Sequence, residues 1–233
     1  INLTEVIVLR KSSSNHDYKT ILKWLYDMGE EQSLLQEPKK HNFVKNDIKL
    51  ETREEASFNS EEIISLANGF KDLENFFSKY ITLAYLKDYP EYNFYDGNIS
   101  SDLMVIGDRP SNIDLKAGKP FQGEVGKLLD AMLKAIKFDR NNTYFSNLNY
   151  IDSIKNEYND LFLAFIHKQI QLVSPKIIIM FGAEVTKTMT GEDNGIFASR
   201  GKWFNLKSRF INTSFLAISM FHPRQLIVKP ENK

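Results

Sequence analysis

The 233-residue chain has no cysteine, and its apolar residues never form an uncharged run long enough to span a membrane. The first absence excludes disulfides, thiolate catalysis, zinc fingers and cysteine-ligated iron–sulfur clusters. The second excludes a transmembrane helix, which needs about 20 apolar residues. The amino-terminal residues also lack the apolar stretch of a secretory signal. These absences predict a soluble, cytoplasmic protein that does not bind a membrane.

The chain also lacks an excess of either charge, because 30 Lys and Arg residues balance 30 Asp and Glu residues. This balance argues against an indiscriminate binder of polyanions. It conceals an asymmetry, since residues 101–233 carry eighteen basic and thirteen acidic residues, whereas residues 61–100 carry three and seven. The basic excess is a weak indication of an anionic ligand, and a solvated basic surface is an equally good interpretation.

The pattern along the chain divides it into three segments. In residues 17–36, apolar side chains recur at the spacing of one helix face, which predicts that residues 1–36 form an amino-terminal helical leader. Residues 37–60 are dense in charge and poor in apolar side chains, which is typical of a linker or a disordered segment. Residues 61–233 are predicted to form an α/β domain.

Four short apolar runs within this domain predict buried strands. They are residues 103–106, 143–146, 177–181 and 216–218. Patterns with helical periodicity lie between them, and continuous apolar runs are typical of parallel strands that are covered on both faces. The sequence therefore predicts a three-layer α/β/α fold with a central, four-stranded, mainly parallel sheet.

Each predicted strand is followed by, or ends in, a glycine or a side chain that can bind a ligand or take part in a reaction. Gly107 and Asp108 follow the first strand, Asn147 ends the second, Gly182 follows the third and His222 follows the fourth. In open parallel sheets the ligand binds beyond the carboxyl ends of the strands. We therefore expect these residues to meet at one site.

The residue types suit recognition and hydrolysis. Asp108 and Asp114 are candidates for orienting water or acting as a base, and Phe121 offers an aromatic face to a planar ligand. Asn147 has donors and an acceptor for reading a polar edge, and His222 can donate to a developing anion. Taken singly, each of these residues is more often part of a turn, a cap or a packed core than of a functional site.

The ordered set of motifs is more specific, and it resembles the uracil-DNA glycosylase superfamily, in detail the family 4 bacterial enzymes. The motifs are GDxPxxxD, PFxGxxGxLL, SN, SPKIIIMFG, RGxW and HPR, in that order, over about residues 61–233. The resemblance implies a monomeric DNA-repair hydrolase of base excision repair. Such an enzyme flips uracil out of uracil-containing DNA and hydrolyses its N-glycosidic bond by water attack.

The resemblance also implies catalytic and base-binding roles. Asp114 falls on a catalytic acid that positions or activates the attacking water, and Asp108 falls on an acid that shapes the pocket and holds water. His222 falls on the histidine that stabilises the departing uracil anion. Phe121 matches the ring that stacks on uracil, and Asn147 matches the amide that reads its edge. Gly107 and Pro110 match the loop that surrounds the base.

DNA contacts are implied for the basic carboxyl-terminal segment. Arg200 and Arg224 are candidates for gripping phosphates. Leu226 and Ile227 fall where the family has a loop that inserts into DNA, and an apolar side chain there would fill the gap left by the flipped base.

The chain departs from family 4 in two features. Those enzymes hold a [4Fe–4S] cluster on four cysteines, so the absence of cysteine predicts that this chain uses no cofactor and that aromatic packing replaces the cluster. In the loop that follows the first strand, Arg109 and Ser111 replace small residues, and we expect position 111 to require the backbone freedom of glycine. These departures leave an alternative open: a catalytically degenerate relative that binds DNA or a replication partner.

Overall fold

The computed structural model describes residues 64–150, 159–210 and 212–229. The predicted leader (1–36) and linker (37–60) lie outside the described residues. The described strands form one six-stranded sheet with the order β1-β3-β2-β4-β6-β5. The strands are β1 (Tyr95–Gly97), β2 (Leu103–Gly107), β3 (Thr143–Asn147), β4 (Ile177–Phe181), β5 (Trp203–Lys207) and β6 (Ser214–Met220).

Helices precede the sheet and connect its strands. Helix α1 (Phe70–Phe76) runs into a π-helical turn (Phe77–Thr82) and the short α2 (Leu83–Tyr85). The remaining helices are α3 (Asn112–Ala117), α4 (Gly123–Ala135), α5 (Asn159–Val173), α6 (Ala183–Thr190), α7 (Ile196–Ser199) and α8 (Pro223–Val228).

The predicted α/β class is confirmed, and the four predicted strands form the parallel centre of the sheet, β3-β2-β4-β6. The predicted strand number of four is wrong, because antiparallel β1 and β5 extend the sheet at its two edges. Neither edge strand has a continuous apolar run. β1 contains only three residues, and β5 alternates between buried and exposed positions. An edge strand that is covered on only one face shows such alternation rather than an unbroken apolar segment.

Three layers follow from the two apolar faces of the sheet. Val105 and Ile179 face one side, where they pack with Leu129 and Leu133 of α4. Met104 and Ile178 face the other side, together with Ile166 of α5. Alternate residues of one strand thus enter opposite clusters, because successive strand side chains point to opposite faces.

A third apolar cluster lies beside the sheet. This aromatic cluster consists of Phe76, Phe77, Phe94, Tyr150, Phe162 and Phe165. Phe77 is central to it, since its ring centroid lies 5.0 Å from that of Tyr150 and 5.2 Å from that of Phe94. Such distances are typical of favourable aromatic pairs. The cluster ties α1, the π-helical turn and α5 to the chain entering β1.

Candidate active site

The carboxyl ends of β2 and β3 bring Gly107, Asn147 and Phe121 into one place. Gly107 pairs with Asn147 in the parallel register. A Cβ atom on Gly107 would lie 2.5 Å from Asn147 Oδ1 and 2.7 Å from Phe121 Cζ. Only glycine leaves room for both side chains at this strand end. The structure thus brings these three residues, which the sequence predicted as site candidates, into contact range of one another.

Phe121 and His222 face each other across this edge of the sheet. Their ring centroids are 6.0 Å apart and their planes differ by 19°. Phe121 is 3% exposed and has a left-handed backbone with φ of 56°. His222 follows β6 and is also buried. Two nearly parallel rings thus line the site, one fixed by the loop after β2 and the other by the end of β6.

The proton on His222 is assigned by its hydrogen bond. His222 is the N-cap of α8, and its Nδ1 accepts from the backbone N–H of Arg224 at 3.1 Å. Burial lowers the pKa of His222 to about 4, against an opposing effect of Asp108 and with a smaller lowering by Arg224. The imidazole is therefore neutral near pH 7, and its single N–H is on Nε2.

Asp108 supplies an acceptor in front of that N–H. Its Oδ1 lies 3.5 Å from Nε2 of His222 and 3.6 Å from Nη2 of Arg224. Within the described residues this buried oxygen has no hydrogen-bond partner. A buried carboxylate oxygen that accepts no hydrogen bond from the protein is a position for water or ligand.

Asp114, in contrast, is already engaged. Its Oδ2 accepts from the N–H of Ser111 at 2.6 Å and from the Ser111 hydroxyl at 2.7 Å, and its Oδ1 accepts from the N–H of Gln122 at 2.6 Å. The bond from the Ser111 N–H, together with one from the Asp114 N–H to the Ser111 hydroxyl oxygen, forms a capping box at the start of α3. Three of about four acceptor positions on the carboxylate are used in holding the loop.

Ser111 corrects the expectation that this position needs glycine. Its φ is −81° and its ψ is 166°, an extended conformation open to any residue. Its hydroxyl accepts from the N–H of Asp114 at 3.3 Å, which is the role that serine performs well at an N-cap. The altered loop is therefore compatible with a regular helix start.

Tyr92 is a neighbour of the site that the sequence did not reveal. Its buried hydroxyl accepts from Nδ2 of Asn147 at 3.3 Å. Burial raises the pKa of Tyr92 well above its usual value, so the phenol stays neutral. Tyr92 precedes β1 in an irregular stretch, and no local pattern marks it as a partner of a residue 55 positions away.

Basic and apolar side chains surround the site. Arg109, Pro110 and Arg224 line an adjoining cavity of about 220 Å³. The guanidinium of Arg200 lies 4.9 Å from the ring centroid of Phe221, the residue before His222.

The two residues predicted to insert into DNA have different environments. Leu226 is 4% exposed and packs in a cluster with Ile196 and Phe221. Ile227 is 40% exposed, and Val228 after it is 74% exposed. At this end of α8 the apolar surface available to a ligand is therefore that of Ile227 and Val228.

A comparison with protein-family models identifies the family of this chain. The model of the uracil DNA glycosylase superfamily matches residues 94–233, which include all of these site residues except Tyr92.

This chain belongs to the uracil DNA glycosylase superfamily.

Within the superfamily, the chain is similar to curated type-4 enzymes. The chain is 27% identical over 146 residues to a type-4 uracil-DNA glycosylase of Sulfurisphaera tokodaii, covering 58% of this chain and 65% of the relative. It is 28% identical to the type-4 enzyme of Saccharolobus solfataricus, over 58% of this chain and 66% of that protein. For the type-4 enzyme of Thermotoga maritima, the values are 25%, 59% and 72%. The match thus spans slightly less than two thirds of the first two relatives. These relatives come from archaea as well as bacteria.

The iron–sulfur cluster implied by the resemblance does not fit this chain. A cluster of that type needs thiolates, and the chain has no cysteine. The apolar cluster that contains the aromatic rings also includes Ile81, and both Ile81 and Tyr150 are buried in it. Within the described residues no group of three or more His, Asp and Glu side chains could hold a metal ion. In the same described ranges, no helix is long and apolar enough to cross a membrane.

Proposed function

We propose that this chain is a DNA glycosylase that hydrolyses the N-glycosidic bond of uracil in DNA. The observation that carries the proposal is the convergence of Phe121, Asn147 and His222 beside Asp108 at the carboxyl edge of the sheet, in a member of this superfamily. We further propose that the protein is a monomer and acts in base excision repair in the cytoplasm.

The base must leave the duplex to reach this site. Flipping a nucleotide costs a few kcal/mol, which protein contacts with the extruded base and the vacated gap offset. Phe121 supports the flipped ring by stacking. Ile227, and Val228 next to it, provide the exposed apolar surface for the gap.

Selection of uracil is assigned to Asn147. Uracil presents an acceptor at O4 and a donor at N3, whereas cytosine presents a donor and an acceptor at these positions. An amide oriented with Nδ2 toward O4 and Oδ1 toward N3–H pairs with uracil and opposes cytosine. The hydrogen bond from Nδ2 to Tyr92 leaves the second amide hydrogen for O4.

The leaving group is stabilised by His222. As the bond between the sugar carbon C1′ and uracil N1 breaks, its electron pair stays on the base, and negative charge develops at uracil O2. The neutral imidazole donates its Nε2–H toward that oxygen without giving up the proton. Water adds to C1′, loses one proton and leaves an abasic sugar, and the uracil anion takes up a proton after departure.

The position of the attacking water is assigned to the acidic residues of the loop. Asp108 offers, in front of His222, an oxygen that accepts no hydrogen bond from the described residues, and it suits the holding of water better than Asp114 does. Asp114 contributes mainly through its bonds to Ser111 and Gln122, which hold the loop that carries Phe121. We assign the surrounding phosphate contacts to Arg200 and Arg224.

The test is an excision assay on a uracil-containing oligonucleotide followed by alkaline cleavage of the abasic product. We expect strand breaks with uracil and none with thymine or cytosine at the same position. His222→Ala should lower the rate at which breaks form about 10²- to 10³-fold. His167→Gln, which changes another buried histidine, should retain the wild-type rate. A folded wild-type sample that yields no breaks at any salt concentration contradicts the proposal.

A second candidate is a degenerate relative that binds DNA without turnover. The observation in its favour is that Arg109 and Arg224 line the cavity beside the site, where two cations suit a DNA phosphate better than the chemical step. This function predicts retention of uracil-containing DNA without release of uracil. Measuring binding and product with the same oligonucleotide separates the two.

A further inference from the structure

The backbone of Phe121 adopts a conformation that needs external support. Its φ of 56° lies in the left-handed region, which is uncommon for a bulky residue that is not glycine. The proposed function requires this ring to hold one orientation before the base arrives. The surrounding contacts show what imposes that orientation.

The peptide group that joins Phe121 to Gln122 is held at both ends by ionised side chains. Nη2 of Arg140 donates to the carbonyl oxygen of Phe121 at 2.5 Å. The N–H of Gln122 donates to Oδ1 of Asp114 at 2.6 Å. A peptide group is planar, so fixing its oxygen and its hydrogen together prevents rotation of the plane. Holding this plane anchors the backbone on the carboxyl side of Phe121, the residue that carries the ring.

Arg140 is itself held from three sides. Its Nη1 donates to Asp96 of β1 at 2.5 Å, and its Nε donates to Asp130 of α4 at 2.9 Å. The guanidinium lies 5.1 Å from the ring centroid of Phe145 in β3. A planar guanidinium can satisfy all of these directions at once, which an ammonium group cannot.

Helix α4 packs closely against the same carbonyl group of Phe121. A Cβ atom on Gly126 would overlap the carbonyl oxygen of Phe121 and would lie 3.1 Å from Nη2 of Arg140. The glycine thus lets the carbonyl approach the helix and reach Arg140. This observation is independent of the hydrogen bonds and points to the same arrangement.

We propose that Arg140 is a positioning residue, which with Asp114 clamps the Phe121–Gln122 peptide and presents the Phe121 ring to the flipped base. This inference rests on the proposed function, since it explains how the stacking ring is preorganised. It assigns no contact between Arg140 and the substrate.

The kinetic test compares Arg140→Met with Lys176→Met. Lys176 forms an ion pair with Asp102 at 2.9 Å at the amino ends of the central strands β4 and β2, and its side chain is about as buried as that of Arg140. We expect Arg140→Met to lower the single-turnover rate of uracil excision about tenfold or more, since small displacements of reacting groups have effects of this size. Lys176→Met should stay within about twofold of the wild-type rate. Arg140→Lys should recover only part of the loss, because it restores charge without the fork.

A double-mutant cycle separates positioning from general destabilisation. In a Phe121→Ala background there is no ring to position, so Arg140→Met should lower the remaining rate by no more than about twofold. Equal losses in both backgrounds overturn the proposal. A thermal unfolding curve recorded by circular dichroism shows whether each variant is folded at the assay temperature. Only variants that are folded there enter the comparison.

A measurement without substrate makes the two proposals separable. Amide hydrogen exchange at Gln122, followed by NMR in the free protein, should accelerate about tenfold or more in Arg140→Met and remain unchanged in Lys176→Met. Unchanged exchange at Gln122 in Arg140→Met overturns the clamp. Absence of uracil excision by the unaltered protein, with exchange at Gln122 responding as expected, overturns the proposed function and the positioning role but leaves the clamp geometry standing.

Discussion

At the scale of single residues, the protonation of His222 decides which chemistry the site can perform. A protonated imidazole near Asp108 would form an ion pair, whereas the neutral ring keeps an N–H available for an anion. Burial among Phe121 and Phe181 favours the neutral form, since removing a charge from water is costly. The site thus offers hydrogen-bond donation rather than proton transfer at this position.

His222 gives the first prediction. Replacement by alanine should lower the excision rate about 10²- to 10³-fold, the usual effect of removing one donor to a developing anion. For the wild type, the rate should show no titration of this group between about pH 8 and pH 5, because its pKa is about 4. A single-turnover rate profile measures both effects, and a rate that falls through about pH 6.5 contradicts the neutral assignment.

Tyr92 gives the second prediction, because it contacts Asn147, the amide that we propose reads the base. Tyr92→Phe removes the acceptor for Nδ2 of Asn147. We expect kcat/KM for uracil excision to fall about three- to tenfold, the value of one hydrogen bond. Tyr144→Phe is the matched control, because it removes another buried hydroxyl, bonded to Gln169 at 2.9 Å. Equal losses in the two variants would show a general packing effect instead.

At the scale of elements, helix α4 and the carboxyl ends of the parallel strands determine where the site lies. The short apolar runs predicted the four central strands correctly, because parallel strands covered on both faces have little choice of residue type. The edge strands were missed, since β1 and β5 depend on pairing with β3 and β6 and carry no comparable local signal. The position of α4 also depends on tertiary contacts, in particular on the approach of Phe121 to Gly126.

Gly126 gives the third prediction. In an exposed helix interior, Gly→Ala usually stabilises a protein by about 1 kcal/mol. Here the added Cβ overlaps the carbonyl oxygen of Phe121, so we expect Gly126→Ala to lower the free energy of unfolding by about 1–3 kcal/mol. Denaturant titration measures the change. Gly69→Ala adds a Cβ at the N-cap of α1 with no atom within 4 Å of it, so this variant should lose less stability than Gly126→Ala.

At the scale of the whole molecule, the aromatic cluster joins segments that lie far apart along the chain. The rings around Phe77 join helices that precede the sheet to α5 and to the chain entering β1. Burial of several aromatic side chains supplies stabilisation that does not depend on redox state or metal supply.

Stability in acid gives the fourth prediction. Burial lowers the pKa of His167 in α5 to about 4, as it does for His222. Between the ordinary value of 6.5 and about 4, the unfolded chain therefore binds a proton that the folded chain rejects. The free energy of unfolding consequently falls as pH is lowered through this window. Each histidine contributes a loss of about 2–3 kcal/mol by about pH 4.5.

His167 is the cleaner of the two to test, because it lies outside the site. Relative to the wild type, His167→Gln should gain about 2–3 kcal/mol of stability between about pH 7 and pH 4.5, measured by denaturant titration at each pH. Its excision rate near neutral pH should be unchanged. A stability difference that does not vary with pH contradicts the lowered pKa.

By itself, the sequence determined the fold class, the parallel centre of the sheet and the types of residue at its carboxyl edge. These properties follow from local runs of side chains, since burial on both faces dictates apolar strands and parallel strands bring their ends together. The sequence also determined that no thiolate cluster can form.

Only the tertiary structure decided which of these residues act together and in what state. The tautomer of His222 depends on the backbone of Arg224, and the amide of Asn147 depends on Tyr92 from before β1. Arg140 reaches Phe121 from 19 positions away. Hydrogen-bond geometry and burial are properties of positions in space, and residues distant along the chain acquire them only when strands and helices have packed together.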